Sequence, residues 1–214
     1  MKKIFFLFLI ALIYSLCSCS HFDIYNDVIN RIVEIDCQNK YLKSSATGTL
    51  ISKDGVILTN KHVVEYYTTD STIMVRFMNG EEYEAEIKLI SDEYDLCLLK
   101  IEKETEYFSS LSETFEIGQE VYTIGNSKGY GLAISKGIIS SNYKNIIYKD
   151  ENILSIQTSI EIYDGSSGGP LYNSKGELLG IMTFRIRDNG TYIPGMSFAI
   201  PTKIIKEFIK GDNI

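Results

Sequence analysis

The stretch Thr47-Gly48-Thr49-Leu50-Ile51-Ser52-Lys53-Asp54-Gly55-Val56-Ile57-Leu58-Thr59 reads as a β-hairpin. Two short runs rich in β-branched and apolar residues, 47–52 and 56–59, flank Lys53-Asp54-Gly55, a turn signature. The same grammar repeats outward in both directions. Before it, 31–36 has strand character. After it, 71–78 and 83–90 flank Asn79-Gly80, and 96–101 and 121–124 are compact apolar runs. Further runs lie at 132–140, 153–158, 170–172, 178–186 and 191–200. About a dozen short strands separated by Gly, Asn and Asp turns predict an all-β domain, built as one large barrel or as two six-stranded ones.

Helical spacing is confined to the two ends. Phe22, Tyr25, Val28 and Ile29 fall near a helical period, so a short lead-in helix is expected within 22–30. At the other end Pro201-Thr202 opens a pattern in which Ile204, Ile205, Phe208 and Ile209 share a face, with Thr202 as the expected N-cap. A second domain has no room in 214 residues organised in this way.

Composition narrows the function classes. Hydrophobic residues make up 44% and charged residues 23%, which suits a folded globular chain rather than a disordered one. The net charge of −7 argues against a nucleic-acid partner, which calls for a basic face. Four cysteines without paired C-x-x-C spacing argue against a zinc ribbon or a disulfide-dense scaffold. Cys37 and Cys97 lie in apolar, strand-like runs and are expected to act as small buried hydrophobes.

The first residues read as an address. Lys2 and Lys3 precede an almost wholly apolar run, 4–16, too short to span a bilayer comfortably and of the right length for a signal-peptide core. Leu16-Cys17-Ser18-Cys19 then resembles a bacterial lipobox, with Cys19 as the lipidated residue, since Leu16 is a poor residue to precede a cut at Cys17. An ordinary secretory cleavage nearby is the alternative. Residues 1–18 are thus expected to be a signal peptide, 19–30 a tether with the lead-in helix, and 31–214 the folded domain. Both readings export the chain.

Asp164-Gly165-Ser166-Ser167-Gly168-Gly169-Pro170 carries the chemical signal. Glycines around serine let the backbone bend tightly and present N–H groups to a ligand, as an acyl-transfer oxyanion requires. The bland alternative is a Gly-Ser surface turn. A nucleophilic serine needs a base, and the chain has two histidines. His21 lies beside the expected lipidation site. His62 follows the strand-like run 56–59, where a catalytic base can stand. Asp95 opens the apolar run 96–99 and is placed to orient a histidine, while nearby Asp92 sits in a more polar turn. The chain order is then His, Asp, Ser, as in chymotrypsin.

With these residues in hand, the chain resembles the protease domain of the HtrA/Deg family of trypsin-like serine proteases. Five stretches carry the resemblance in family order: 48–60 with His62-Val63-Val64, Tyr94-Asp95-Leu96-Cys97-Leu98-Leu99-Lys100-Ile101, Ile124-Gly125-Asn126 with Gly137-Ile138-Ile139-Ser140, Ile156-Gln157-Thr158 running to Leu171, and Gly195-Met196-Ser197-Phe198-Ala199-Ile200-Pro201. The resemblance implies two six-stranded antiparallel β-barrels with the active site between them, and neither metal nor cofactor. It implies His62 as general base and then acid, Asp95 as its orienting carboxylate and Ser167 as nucleophile. The oxyanion hole falls in Gly165, Ser166 and Ser167, with the N–H groups of Gly165 and Ser167 as donors. Pocket residues are Glu161, Ile162, Tyr163, Thr183 and Phe184, with Met182 and the 196–198 strand nearby.

The resemblance also implies a serine endopeptidase of the bacterial cell envelope, anchored through Cys19 on a periplasmic or surface face and acting on unfolded or partner proteins. The family often forms homotrimers through N-terminal aromatics, for which Phe22 and Tyr25 are the candidates here, and the PDZ module common in the family is not expected after the C-terminal helix. Ser166 stands where the family usually has Asn, and Glu161, Ile162, Tyr163 and Asp164 replace small or apolar residues. A carboxylate at Glu161 on the pocket floor would favour substrates with Lys or Arg before the scissile bond. The other possibility is that Glu161 faces solvent and Ile162 closes the pocket. Two further readings stand beside the protease: an inactive, chaperone-like binding protein on this scaffold, and a glutamyl-endopeptidase-like secreted protease.

Overall fold

The hairpin at 47–59 is one corner of a closed barrel. The structure, a computed structural model, describes residues 24–211 apart from Leu42, Thr69 and Asp150. Cys17, Cys19, His21 and Phe22 lie outside the described residues. Strands β1 (Ile32–Gln38), β2 (Lys43–Leu50), β3 (Val56–Thr59), β4 (Thr72–Phe77), β5 (Glu82–Ile90) and β6 (Cys97–Ile101) close in the order β1-β2-β3-β6-β5-β4. Their inward side chains, Val33, Ile35, Leu50, Ile57, Val75, Leu99 and Ile101 among them, fill the barrel. Closure leaves this sheet no edge with unpaired backbone groups.

The second sheet keeps the expected two-barrel plan but has seven strands instead of six and curls into a half-barrel. It contains β7 (Glu120–Gly125), β8 (Ala133–Ile138), β9 (Lys144–Tyr148), β10 (Glu151–Thr158), β11 (Pro170–Asn173), β12 (Leu178–Asp188) and β13 (Thr191–Pro201). These form a seven-stranded antiparallel sheet in the order β8-β7-β11-β12-β13-β10-β9. An isolated bridge between Ile139 and Thr158 draws β8 toward β10, so the sheet curls into a half-barrel around Val121, Ile156, Leu171, Leu179, Met182 and Ala199. The extra strand is β9. It pairs only with β10 and is largely exposed, so its sequence lacks the apolar alternation that marks a half-buried strand.

A third core lies between the sheets. Leu58 and Leu98 from the first barrel meet Ile124, Tyr172, Leu178, Ile181 and Ile200 from the second. Both terminal helices close over this seam. Helix α1 (Ile24–Val28) continues as a single 3-10 turn, Ile29–Arg31, and buries Ile24, Val28 and Ile29 there, with Tyr25 packed alongside. Helix α2 (Thr202–Ile209) buries Ile204 and Ile205. Thr202 is not the N-cap of α2. Pro201 holds that position without a side-chain cap, and the Thr202 hydroxyl, which faces Ser112 O at 2.5 Å and Leu179 O at 3.2 Å, pins the helix to the sheet.

Cys37 and Cys97 are free and buried. Burial, with the Asp95 charge adding to it, pushes the Cys97 thiol up to about 12, and burial alone raises Cys37. The attacking species toward alkylating agents is the thiolate, which at pH 8 is only about 10⁻⁴ of a thiol shifted that far. Iodoacetamide at pH 8 followed by peptide mapping should therefore leave Cys97 unmodified in the native protein and modify it in guanidinium chloride. Modification of Cys97 without denaturant would contradict this packing.

Candidate active site

The pairing of β3 with β6 sets the first half of the site. Thr59 stands opposite Cys97, so the chain leaving β3 runs beside the chain entering β6. His62, in the 3-10 turn Lys61–Val63, thereby meets Asp95. Asp95 Oδ2 lies 2.7 Å from His62 Nδ1, and Oδ1 accepts the His62 backbone N–H at 2.8 Å. The carboxylate side chain is only 21% exposed, against 37% for the imidazole, so the pair sits at the edge of water. With Nδ1–H donated to the carboxylate, the neutral imidazole presents the lone pair of Nε2 outward. Asn60 steadies the arrangement. Fully buried, its amide donates to Asp95 O at 2.9 Å and to Thr183 Oγ1 at 3.0 Å, linking the carboxylate-bearing loop to β12.

The second half is the turn between β10 and β11. Gly165 has φ +92°, and a Cβ there would collide with the Asn126 carbonyl; Gly168 has φ +82°, and a Cβ would collide with the Thr47 carbonyl. Only glycine satisfies both conditions. The two adjacent serines separate cleanly. Ser166 is 3% exposed, its hydroxyl shared with Ser127 Oγ at 2.8 Å and its N–H donated to Tyr163 O at 2.8 Å. Ser167 lines the same cleft as His62 and Asp95, a space of about 1070 Å³ between the two sheets.

The N–H groups of this turn are divided by the same bonds. Ser166 N–H is occupied by the Tyr163 carbonyl, in keeping with a donor pair made of its two neighbours. Gly165 and Ser167 N–H donate to no acceptor among the described residues. Lys128, itself at φ 56°, donates its N–H to Asp164 O at 2.6 Å. Because the peptide is planar and trans, anchoring that carbonyl turns the Gly165 N–H the opposite way. The turn is tied to the first barrel through Thr47, whose N–H donates to Ser167 O at 2.9 Å and whose hydroxyl donates to Gly165 O at 2.7 Å while accepting from Asn126 N–H at 2.9 Å.

The pocket residues fall in two groups. Ile162, Tyr163, Thr183 and Phe184 line the cleft. Ile162 is 4% exposed and belongs to the second core, and Phe184 is stacked between Tyr148 and Phe198 at 4.3 and 5.1 Å. Glu161 does not line it. Its side chain faces solvent, where it accepts the Tyr163 hydroxyl at 3.0 Å, so Ile162 rather than a carboxylate stands at the pocket wall. Met182 is fully buried behind that wall. The charge expected to select Lys or Arg is thus absent from the pocket. Thr47, Asn60 and Lys128 went unassigned in the sequence because their contacts are made across the chain. Asn60 alone carried a signal, two residues before His62 at a strand end. Among the described residues, no group of three His, Cys, Asp or Glu side chains is placed to hold a metal ion.

With this geometry in view, comparison with known proteins is informative. Residues 46–181 match the family described as the trypsin-like peptidase domain. The chain is 37% identical over 172 residues to serine protease HTR4 of Rattus norvegicus, covering 78% of this chain and 33% of that one. It is 32% identical over 204 residues to the probable periplasmic serine endoprotease DegP-like of Chlamydia pneumoniae, covering 90% and 41%. The chain thus spans between a third and two fifths of these relatives' lengths. Among solved structures, the HtrA-type protease AlgW with tripeptide matches with a TM-score of 0.79 at 28% identity, covering 88% of this chain and 62% of that one. A serine endoprotease from Yersinia pestis matches with a TM-score of 0.74 at 30% identity, covering 88% and 64%.

Thr47→Val tests the weld between the halves. It keeps the shape of the side chain but leaves the Gly165 carbonyl and the buried Asn126 N–H without their shared partner, at a cost of about 1–3 kcal/mol. Urea unfolding should show that loss, and Thr47→Ser should recover most of it. Equal stability of the Val and Ser variants would contradict the role given to the hydroxyl.

Proposed function

Because the chain belongs to the trypsin-like peptidase family, with HtrA and DegP-like serine proteases among its relatives, we propose that it is a serine endopeptidase in which His62, Asp95 and Ser167 act as one unit. The observation that carries this reading is the double hold of Asp95 on His62, through the ring at 2.7 Å and the backbone at 2.8 Å, in the cleft that Ser167 also lines. In the proposed reaction Ser167 Oγ attacks the scissile carbonyl as His62 Nε2 takes its proton. Asp95 keeps the imidazole in the required tautomer and stabilises the imidazolium. The free N–H groups of Gly165 and Ser167 receive the developing oxyanion, each worth about 2.7–4 kcal/mol of barrier. His62 then delivers the proton to the leaving amine, and water completes hydrolysis of the acyl-enzyme.

The substrate backbone has a natural place. Strand β12 pairs with β11 only between Leu178 and Ile181. Beyond that point it pairs on one side with β13, while Thr183, Phe184, Arg185, Ile186 and Arg187 all line the cleft. An extended peptide added to that open edge would be held by main-chain bonds beside Ser167, the arrangement by which sheet edges bind peptides of varied sequence. Protein or peptide substrates follow from that geometry.

The proposal extends to location. The signal-like segment at 1–18, with Cys19 as lipid attachment site, supports an exported, membrane-anchored enzyme, in keeping with relatives named periplasmic endoproteases. A trimer through Phe22 and Tyr25 draws its support from the family resemblance, although Tyr25 packs against the core of its own chain. The Cys19→Ala protein should move from the membrane pellet to the soluble fraction of fractionated cells; unchanged sedimentation with the membrane would remove the anchor from the proposal.

Fluorophosphonate labelling tests the chemistry. The adduct should map to Ser167 by mass spectrometry and vanish in Ser167→Ala and His62→Ala. Asp95→Asn should keep the fold while lowering kcat on a cleavable peptide by about 10⁴, the cost of the wrong tautomer. A folded protein without an adduct would favour the binding-protein reading instead.

A further inference from the structure

The wall of the cleft beyond Phe184 carries charge that the reaction scheme does not use. Arg185 is half-buried on β12, with its guanidinium 4.7 Å from the Tyr163 ring centroid and 3.3 Å from that of Tyr192. It reaches across from β12 to the turn that carries Ser167. Arg187 stacks on the same Tyr192 ring at 4.0 Å and donates to the Tyr192 hydroxyl. Both arginines line the cleft together with Lys149. Neither has a carboxylate within ion-pairing distance among the described residues.

Two guanidinium groups gathered on one tyrosine repel each other, and no carboxylate among the described residues is ion-paired to either. Asp164 also lines the cleft, and its field reaches Arg187, but it stays outside ion-pairing range. Glu161, the acid closest in sequence to the pocket, is turned away and engaged by Tyr163. Of the other acids of the cleft, Glu65, Asp92, Glu93 and Asp95 come from the first-barrel side with Lys61, and Glu151, at the start of β10, lines it from the second sheet without an ion pair to either arginine among the described residues. An unpaired, partly desolvated guanidinium held by aromatic stacking is pre-organised for a carboxylate: its planar fork matches the two oxygens, and little side-chain entropy is left to lose.

We propose that Arg185, supported by Arg187, forms a subsite for an acidic side chain of the substrate on the acyl side of the scissile bond. This rests on the serine endopeptidase reading and adds the class of side chain that it selects. Ile162 and Phe184 supply the apolar walls against which the methylene groups of a glutamate lie, and the guanidinium closes the entrance over its carboxylate. Tyr163 and Tyr192 position the arginine and do not themselves select charge.

Two measurements on the full chain separate the two ideas. The first compares kcat/KM for peptides identical except for Glu, Gln or Lys at each of the three positions before the cleaved bond. The Glu peptide should exceed its Gln counterpart about tenfold or more at one position. Arg185→Met should bring that ratio toward one, with Arg185→Lys falling between. The second measures binding of the same peptides to Ser167→Ala by fluorescence anisotropy, where catalysis plays no part. There too the Glu peptide should bind about tenfold tighter, and the preference should disappear in the Ser167→Ala, Arg185→Met double variant. Thermal melts establish that each variant is folded; if Arg185→Met fails to fold, Arg185→Lys and Arg187→Met carry the comparison. Cleavage without a Glu-over-Gln preference, or a preference that survives loss of Arg185, overturns the subsite and leaves the protease reading standing. Selective binding of Glu peptides without cleavage upholds the subsite and overturns the protease reading.

Discussion

Thr47 joins two sheets that have no strand in common. Its backbone and hydroxyl take up Ser167 O, Gly165 O and Asn126 N–H, and its own carbonyl accepts the Thr59 hydroxyl at 2.9 Å. Thr49 adds a bond to Gly168 O at 3.1 Å. All three threonines are fully buried. In that setting each bond removes an otherwise unsatisfied polar group, so shifting the turn by even one bond length exposes several such penalties together. The histidine and aspartate belong to one barrel and the serine to the other. This strip of β2 and β3 is what gives the three a common frame.

Within that frame the two halves differ in how local they are. His62 and Asp95 flank two strands paired residue for residue, so the register of β3 on β6 brings them together. The serine turn is less self-sufficient. Its carbonyls are satisfied by Thr47, Thr49 and Lys128, which lie far away in sequence, and its glycines admit no side chain at the points of contact. Rigid placement of two N–H donors therefore depends on β2, on the Ser127–Gly129 turn and on glycine at once. Lys128 in the left-handed region is the local strain that this arrangement sustains.

What was legible in the sequence follows the same division. Strands buried on one or both faces announced themselves through apolar alternation, and the hairpin at 47–59 appears as β2 and β3. Strand β9 did not, because an exposed edge strand with Lys144 and Asn145 carries no burial pattern to read. How the second sheet curls on itself was not legible for a related reason: pairing of strand ends is a tertiary fact, resting here on one bridge, Ile139 to Thr158. In the site, the aspartate, histidine and serine stood in recognisable company. The distinction between Ser166 and Ser167 as buried and cleft-lining groups needed the fold, since it turns on Ser127 and Tyr163 occupying the first of them. Thr202 shows the limit of capping rules: the hydroxyl that could have capped α2 donates to the Ser112 and Leu179 carbonyls instead.

Glu161 shows how a correct residue type can lead to the wrong sign of charge. Six positions before Ser167, a carboxylate suggested a pocket for cations. The side chain instead turns outward and accepts the Tyr163 hydroxyl, and that bond raises the tyrosine's pKa, keeping it a neutral donor. Tyr163 held in this way offers its ring to Arg185. The acid thus acts on the cleft indirectly, by orienting the aromatic surface that holds a base at its mouth. The field inside the cleft is set by which charges face it, and spacing along the chain does not determine that facing. On β12 those charges are Arg185 and Arg187; Asp164 and Glu151 face the same cleft from other parts of the second sheet without ion-pairing to them, so a carboxylate partner is what the arginines lack.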